Sequence, residues 1–534
     1  MKQLFTFIML ITTIGSFGQI PGIQWQKSYG GTRGEVATVI RQTTDGGYIV
    51  AGNTNSNDTD VSGFNGGAIS EGTGNTDIWV IRLDASGELK WSKCLGTSSI
   101  DATADVRETA DGGFAVAGSG NCPACPFAYN LYRLDKDGKR LWTQYYTGNT
   151  KEQAASMQIT NDGGFILAGT SYSSAGQITG HHGDATTSDY WIVKTDKNGI
   201  IQWQKSYGGT ANETAASIAP TKDGGYVIAG HSQSNDGDVT GHHGETGLYP
   251  GYFNDIWIVK INSGGDIQWQ KSLGGTDEDE AADVQQTTDG GYIVAGSVKS
   301  NDGDVTGTHL GGIVSTTDYW LAKLNSSGTL QWQKTFGGGA GDVAHSVQQT
   351  KDGGYILAGK TLSSDGDVTG NNGNTDYWIV KTDASGNLQW EKCYGGTSYD
   401  EAFCAQQTTD NGFVYAGSTI SPVGGDITRR IGTGSDFWII KTKGVVTGLS
   451  ELLPQNILVH PNPTTGVYKV TLPPMAGNAE IEVYNSTGVL IYKKTATNAT
   501  NMVDMGNQSP GIYLLKIVSD NRVIATQKII KQSK

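Results

Sequence analysis

Four stretches of the 534-residue chain carry the run Asp-Thr-Asp or Asp-Gly-Asp: Asp58 and Asp60, Asp236 and Asp238, Asp302 and Asp304, Asp365 and Asp367. Alternate carboxylates can converge on Ca²⁺, which takes about six to eight oxygens. The bidentate glutamate that an EF-hand places at a fixed later position is missing. The same pairs therefore read equally well as turn formers bonding local backbone N–H groups. Calcium is the one cofactor the sequence suggests.

A second group of side chains suits stacking. The stretch "GLYPGYFND" supplies Tyr249, Tyr252 and Phe253 near carboxylates, a combination that fits sugar rings and their hydroxyls. For acid–base work the candidates are Glu152, Glu213, Asp279 and Glu280. Glycoside cleavage needs two carboxyls at a defined separation, which spacing along the chain cannot supply. No nucleophile elbow, HExxH helix or phosphate loop is present. "TGHHG" occurs twice, at His181-His182 and His242-His243. Adjacent residues of an extended chain point apart, so such a pair is a poor two-ligand metal site. Of five cysteines, Cys122 and Cys125 in "NCPACP" are close enough for a local disulfide.

Those residues hang on a repeat. "DGG[YF]" or a near variant begins at Asp45, Asp111, Asp162, Asp223, Asp289, Asp352 and Asp410, and a tryptophan stands 20 residues before each. A third marker, "D[IYF]W[ILV]", places Trp79, Trp191, Trp257, Trp320, Trp378 and Trp438, with Asn130 in the equivalent place of the second copy. The next tryptophan always follows 12 residues later. Fixed spacing marks strands joined by tight turns, and variable spacing between "DGG" and the third marker marks surface loops. Each repeat reads as two hairpins, a four-stranded antiparallel sheet. A row of such sheets buries its faces by radial stacking, as in a β-propeller. The recurring tryptophans are best explained as packing between sheets.

The last repeat lacks its tryptophan strand, and "IQWQKSYGG" at 23–31 is such a strand without a hairpin before it. The expected fold is all-β: a seven-bladed propeller over 19–444, closed by the N-terminal strand, with a small β-sandwich to follow. The variable loops and the linkers between blades should share one face, where binding would occur.

Composition agrees. Glycine numbers 77 and charged residues are 17% of the chain, while 38 basic against 52 acidic residues give −14. That balance argues against nucleic acid as a partner. Residues 1–18 read as a signal peptide: Lys2, an apolar run from Leu4 to Ile14, and Ser16-Phe17-Gly18 as the cleavage site. The run is too short to span a bilayer and no other membrane segment stands out.

Phrases such as "RLDKDGKRLW" resemble the repeat of quinoprotein-type propellers. Pyrroloquinoline quinone enzymes of that kind have eight blades, against seven repeats here, so redox chemistry would need a cofactor spectrum to support it. After a linker at 445–456, residues 457–534 resemble the C-terminal sorting domain of the type IX secretion system of Bacteroidetes, on the segments "PNPTTG", "VYNSTGVLIY" and "GIYLLKI…KIIK". The resemblance implies passage through the periplasm, recognition of the tail by the outer-membrane translocon, and a product that is secreted or displayed on the outer cell surface. The functional expectation is a binding or adhesion module for glycan or surface protein. The alternative is an extracellular polysaccharide-degrading enzyme on the same scaffold.

Overall fold

The structure, a computed structural model, describes residues 20–65, 75–122, 125–243, 253–309, 316–444, 458–472, 479–485, 488–496, 500–519 and 522–533. The expected signal peptide at 1–18 and linker at 445–456 lie outside them. The chain divides into two compact units, Met1–Val445 and Val446–Lys534.

Seven four-stranded antiparallel sheets make up the first unit. Blade 1 covers 35–95, blade 2 101–146, blade 3 152–207, blade 4 213–273, blade 5 279–336 and blade 6 342–394. Blade 7 combines three strands from 400–442 with Ile23–Tyr29. The N-terminal strand pairs antiparallel with Asp436–Thr442, Gln26 opposite Ile440 and Tyr29 opposite Phe437. Each blade packs against two neighbours, and blade 1 packs against blade 7, so the series is a closed ring. Closure removes the free sheet edge that an open row would leave.

The sequence pattern explains each strand. Third strands such as Asp189–Thr195, "DYWIVKT", are buried throughout because both their faces meet other sheets. Fourth strands such as Ile201–Tyr207 are only partly buried and form the outside. The "DGG" turn needs a left-handed residue at its second position. Gly46 has φ 84° there, and Asn411, which replaces it in "DNG", has φ 64°.

Both tryptophan series lie between blades. Tyr190 of blade 3 packs against Trp257 of blade 4 with ring centroids 4.6 Å apart and planes tilted by 48°, and its hydroxyl donates to the Trp257 carbonyl at 3.0 Å. The outer-strand Trp25 of blade 7 meets Tyr48 of blade 1 edge-on at 5.6 Å. Glutamines add a further set of ties. In "QQT" the second glutamine accepts a turn N–H of the preceding blade: Thr288 N to Gln349 Oε1 is 2.8 Å, and Thr409 N to Gln42 Oε1 is 2.9 Å across the ring closure.

The second unit has a three-stranded sheet (Leu458–His460, Val467–Thr471, Thr500–Asp504) and a four-stranded sheet (Leu490–Ala496, Ala479–Tyr484, Gly511–Ser519, Arg522–Lys531). Tyr468, Val470, Ile481, Val483, Leu515 and Ile517 share its core, as the alternating pattern requires.

Candidate ligand-binding face at the channel mouth

The first strand of every blade lines a central channel, with a cavity of about 400 Å³ reached by side chains from all seven blades. The start of each first strand pairs with the end of the second, Glu35 opposite Thr54 for example. The linkers between blades and the loops that follow the second strands therefore leave from one face, the mouth.

At the mouth two positions recur in six of the seven blades: the residue before the first strand and the residue after the second, tied by a backbone hydrogen bond. These include Gln233 N to Asn212 O at 2.9 Å, Lys299 N to Glu278 O at 3.1 Å, Leu362 N to Gly341 O at 3.0 Å and Ile420 N to Tyr399 O at 3.0 Å. The frame repeats, but the side chains do not. Blade 4 presents an amide pair, with Asn212 Nδ2 donating to Gln233 Oε1 at 3.1 Å. Blade 5 presents the ion pair Glu278–Lys299. Blades 6 and 7 present an apolar arc of Leu362 (45% exposed), Tyr399 (54%) and Ile420 (39%).

One tier deeper, non-repeated titratable groups fill the same sector. His345 Nε2 is 2.8 Å from Glu401 Oε1, and Lys360 Nζ is 2.9 Å from that oxygen. The imidazole stacks on Phe403 at 4.8 Å. In four of the seven blades the place of His345 and Phe403 is held by alanine. Burial alone would raise Glu401, but His345 and Lys360 hold its carboxyl below the usual range. Asn254 Nδ2 donates to Glu280 Oε1 at 2.7 Å, and His231 Nδ1 lies 3.9 Å from the same oxygen. Burial pulls His231 below the ordinary imidazole range against the attraction of Glu280. A pocket of about 230 Å³ between blades 5 and 6 has Glu278, Glu280, Lys299, Ser297, Thr317 and His345 in its wall.

The candidate acids separate. Glu152, Glu213 and Asp279 each begin a first strand, are fully buried and accept the N–H of the glycine four residues earlier: Gly148 at 3.0 Å, Gly209 at 2.8 Å and Gly275 at 2.8 Å. They hold the linker turn. Glu280 alone reaches the mouth.

The Asp-x-Asp loops are engaged by the linker that leads into their blade, and Asp238, Asp304 and Asp367 also face a histidine of the preceding blade: His182 at 4.0 Å, His243 at 3.7 Å and His309 at 3.9 Å. Asp58 accepts from Thr32 N at 2.8 Å and Thr32 Oγ1 at 2.7 Å, with matching bonds from Asp236 to Thr210 and from Asp302 to Thr276. Asp365 accepts Gly339 N at 2.7 Å. Asp60, Asp238 and Asp367 accept Gly30, Gly208 and Gly337 N–H groups at 3.3 Å, and the Asp304 N–H donates to Gly274 O at 2.8 Å. Among the described residues no three His, Cys, Asp or Glu side chains are grouped to hold a metal ion.

Tyr249 and Tyr252 lie outside the described residues. Phe253 is partly buried, and its carbonyl is 3.0 Å from His242 Nε2. Cys122 and Cys125 are disulfide-bonded. His182 and His243 place Nδ1 3.0 Å from Asp189 and 2.8 Å from Asp255, and His309 does the same with Asp318 at 3.0 Å. That third histidine escaped the sequence reading because no second histidine marks it. Of the mouth cluster the sequence reading found Glu280 alone: the other members, such as His231, His345 and Glu401, are scattered over 170 residues and joined only by the ring.

Over 238 residues the chain is 27% identical to Regulatory protein FlaEY of Caulobacter vibrioides, covering 43% of this chain and 23% of that protein. It thus spans less than a quarter of that relative's length. Among solved structures, puromycin hydrolase aligns at a TM-score of 0.42 with 12% identity, over 86% of this chain and 62% of that one. Sqt1 from Chaetomium thermophilum aligns at 0.40 with 10% identity, over 80% and 100%. Strand pairing, rather than these likenesses, establishes the ring. No helix among the described residues is long and apolar enough to cross a membrane. Residues 458–532 match the secretion system C-terminal sorting domain, so the chain carries the mark of type IX export to the cell surface or the extracellular space.

Proposed function

We propose that the protein is an exported glycan-binding module that takes its ligand at the mouth face, over blades 5 to 7. The observation that carries this reading is the concentration of departures from the repeat in that sector: exposed Tyr399 leading into the strand of Glu401 on blade 7, and Glu280 on blade 5. A pyranose has an apolar face that stacks on an aromatic ring and hydroxyls that bond to carboxylates and amides. Tyr249, Tyr252 and Phe253 belong to the loop that returns at Asn254, the donor to Glu280, and in this reading they extend the stacking surface. Retention of the product at the cell surface would make it an adhesin.

Polysaccharide cleavage at the same face is the rival. It requires a carboxyl free to give or take a proton. Glu401 is held by two donors, and the non-repeated channel carboxylates Asp105 and Asp283 are engaged by Arg107 and by Ser217. Calcium at the Asp-x-Asp loops would have to displace their backbone bonds, and we expect no change in melting temperature on Ca²⁺ titration.

The secreted protein, tested on a panel of polysaccharides, should be retained without releasing new reducing ends. Tyr399→Ala should weaken retention about tenfold at an unchanged melting temperature, the loss of one good stacking contact. Failure to bind any glycan defeats the reading, and new reducing ends would favour the rival.

A further inference from the structure

The channel below the mouth is lined by side chains of a different chemistry. The seventh residue of each first strand forms one tier: Arg41, Arg107, Gln158, Ala219, Gln285, Gln348 and Gln406, from blades 1 to 7 in order. Six of these carry side-chain N–H donors, and in five of them donors face the channel.

The reason lies in the ties between blades. Gln406 Oε1 accepts Gln42 N at 2.7 Å, Gln348 Oε1 accepts Gln407 N at 2.6 Å and Gln285 Oε1 accepts Gln349 N at 3.3 Å. Each carboxamide oxygen is thereby consumed by the next blade, which turns the NH₂ group toward the channel. Gln158 is the exception: its Nε2 donates to Ile218 O at 2.9 Å. On blades 1 and 2 the glutamine is replaced by arginine. Arg107 donates to Asp105 Oδ2 from Nε at 3.1 Å and Nη2 at 2.7 Å, and Arg41 Nη2 lies 3.5 Å from Asp105 Oδ1. Arg41 Nη1 faces Ile40 O and the Cys404 sulfur, while its buried Nε has no partner.

The acceptors of the neighbouring tier are already in use. Asp283 takes Ser217 Oγ at 2.8 Å, Val284 N at 2.9 Å and Val347 N at 3.0 Å. The two aspartates match the two arginines in charge, yet the tier keeps an excess of donors. Burial chiefly, and the Arg41 guanidinium, hold Arg107 below the ordinary arginine range despite Asp105.

We propose that this tier is a receptor for a small oxyanion — phosphate, sulfate or the carboxylate of a small acid — seated in the channel cavity against Arg41 and Arg107, which already share Asp105, and capped by the NH₂ groups of Gln285, Gln348 and Gln406. Guanidinium bonds to oxyanions are charge-assisted and in-plane, and carboxamide donors add directional contacts. The contiguous arc from blade 5 through blade 7 to blade 2 gives the anion a one-sided wall within the channel cavity. This inference is independent of the glycan reading.

The test uses the full secreted protein. Sodium phosphate, sulfate and acetate are titrated separately against sodium chloride at equal ionic strength, followed by calorimetry and thermal melting. One of the three should bind saturably and raise the melting temperature, and comparison of the arms identifies the preferred geometry. Arg107→Gln should weaken binding about tenfold or more. Because that change also disturbs Asp105, a second variant is needed. Gln348→Glu keeps an oxygen for the Gln407 N–H and replaces only the channel-facing donor with an acceptor. It should melt like the wild type without anion and lose the anion response. If the three anions act no differently from chloride, or Gln348→Glu responds as the wild type does, the proposal is overturned.

Discussion

Trp257 shows how much one side chain can carry. It is fully buried between two blades, packs against Tyr190 and donates from Nε1 to Gln270 Oε1 at 2.9 Å. Trp257→Ala should cost about 3–5 kcal/mol, measured by chemical denaturation. Its role was readable from the chain because six other positions share its spacing, and regular recurrence on strands means packing. Glu280 was singled out with Glu152, Glu213 and Asp279 because all four are acidic residues near linkers. Only the structure separates the one side chain that reaches the mouth from the three that hold turns. Sequence could not make that cut: Asp279 and Glu280 are neighbours, and strand alternation sends them to opposite sides.

At the scale of the strand, burial of carboxyls at the blade junctions has a measurable effect on stability. Burial, their first cause, pushes Glu35 and Glu213 up to about 7, and Asp77, Asp101, Asp279, Asp342, Asp376 and Asp436 to about 6. In the unfolded chain such groups titrate near 4. A raised carboxyl contributes stability in full below about pH 4 and loses it as pH rises through 6 to 7. The melting temperature should therefore fall from about pH 4 to pH 7 and level off above that in a calorimetric series, and Glu213→Gln should flatten part of that slope. The "DGG" aspartates act in the opposite sense. The Asp223 carboxyl would be raised by burial, but Thr221, Lys260 and the Gly225 N–H hold it down at about 2. Its contribution is lost only as pH drops below about 4 toward 2. The hairpins and turns were legible because glycine and aspartate punctuate them. The partnership of each "DGG" aspartate with the basic residue ending the third strand, such as Asp223 with Lys260 at 2.9 Å, was not. Two invariant charges separated by a loop of varying length reveal a pair only when the sheet is folded.

For the whole molecule, the ring depends on its first strand. Removing 20–29 withdraws Ile23, Trp25 and Tyr29 from their partners on blades 7 and 1. Three such side chains together supply roughly 5 kcal/mol or more of burial, so the shortened protein should melt at lower temperature and be cut readily by protease near 436–442. Deleting 458–532 should leave the ring folded and the protein inside the cell envelope, as fractionation and immunoblotting would show. The number of repeats and the missing final strand were countable in the chain, and so was the closure. The oxyanion tier was not, because glutamine and arginine at one strand position look like ordinary solvated residues until seven strands are set around an axis.

That closure also orders events in time. Gln26 and Trp438 meet at a sequence separation of 412, so a segment synthesised before the rest of the ring is the last to find its mate. Six sheets can assemble while the opening segment waits. In a crowded preparation, an unfilled berth on one molecule and a waiting segment on another are complementary, and refolding at high concentration should yield exchanged dimers that dilution before refolding prevents.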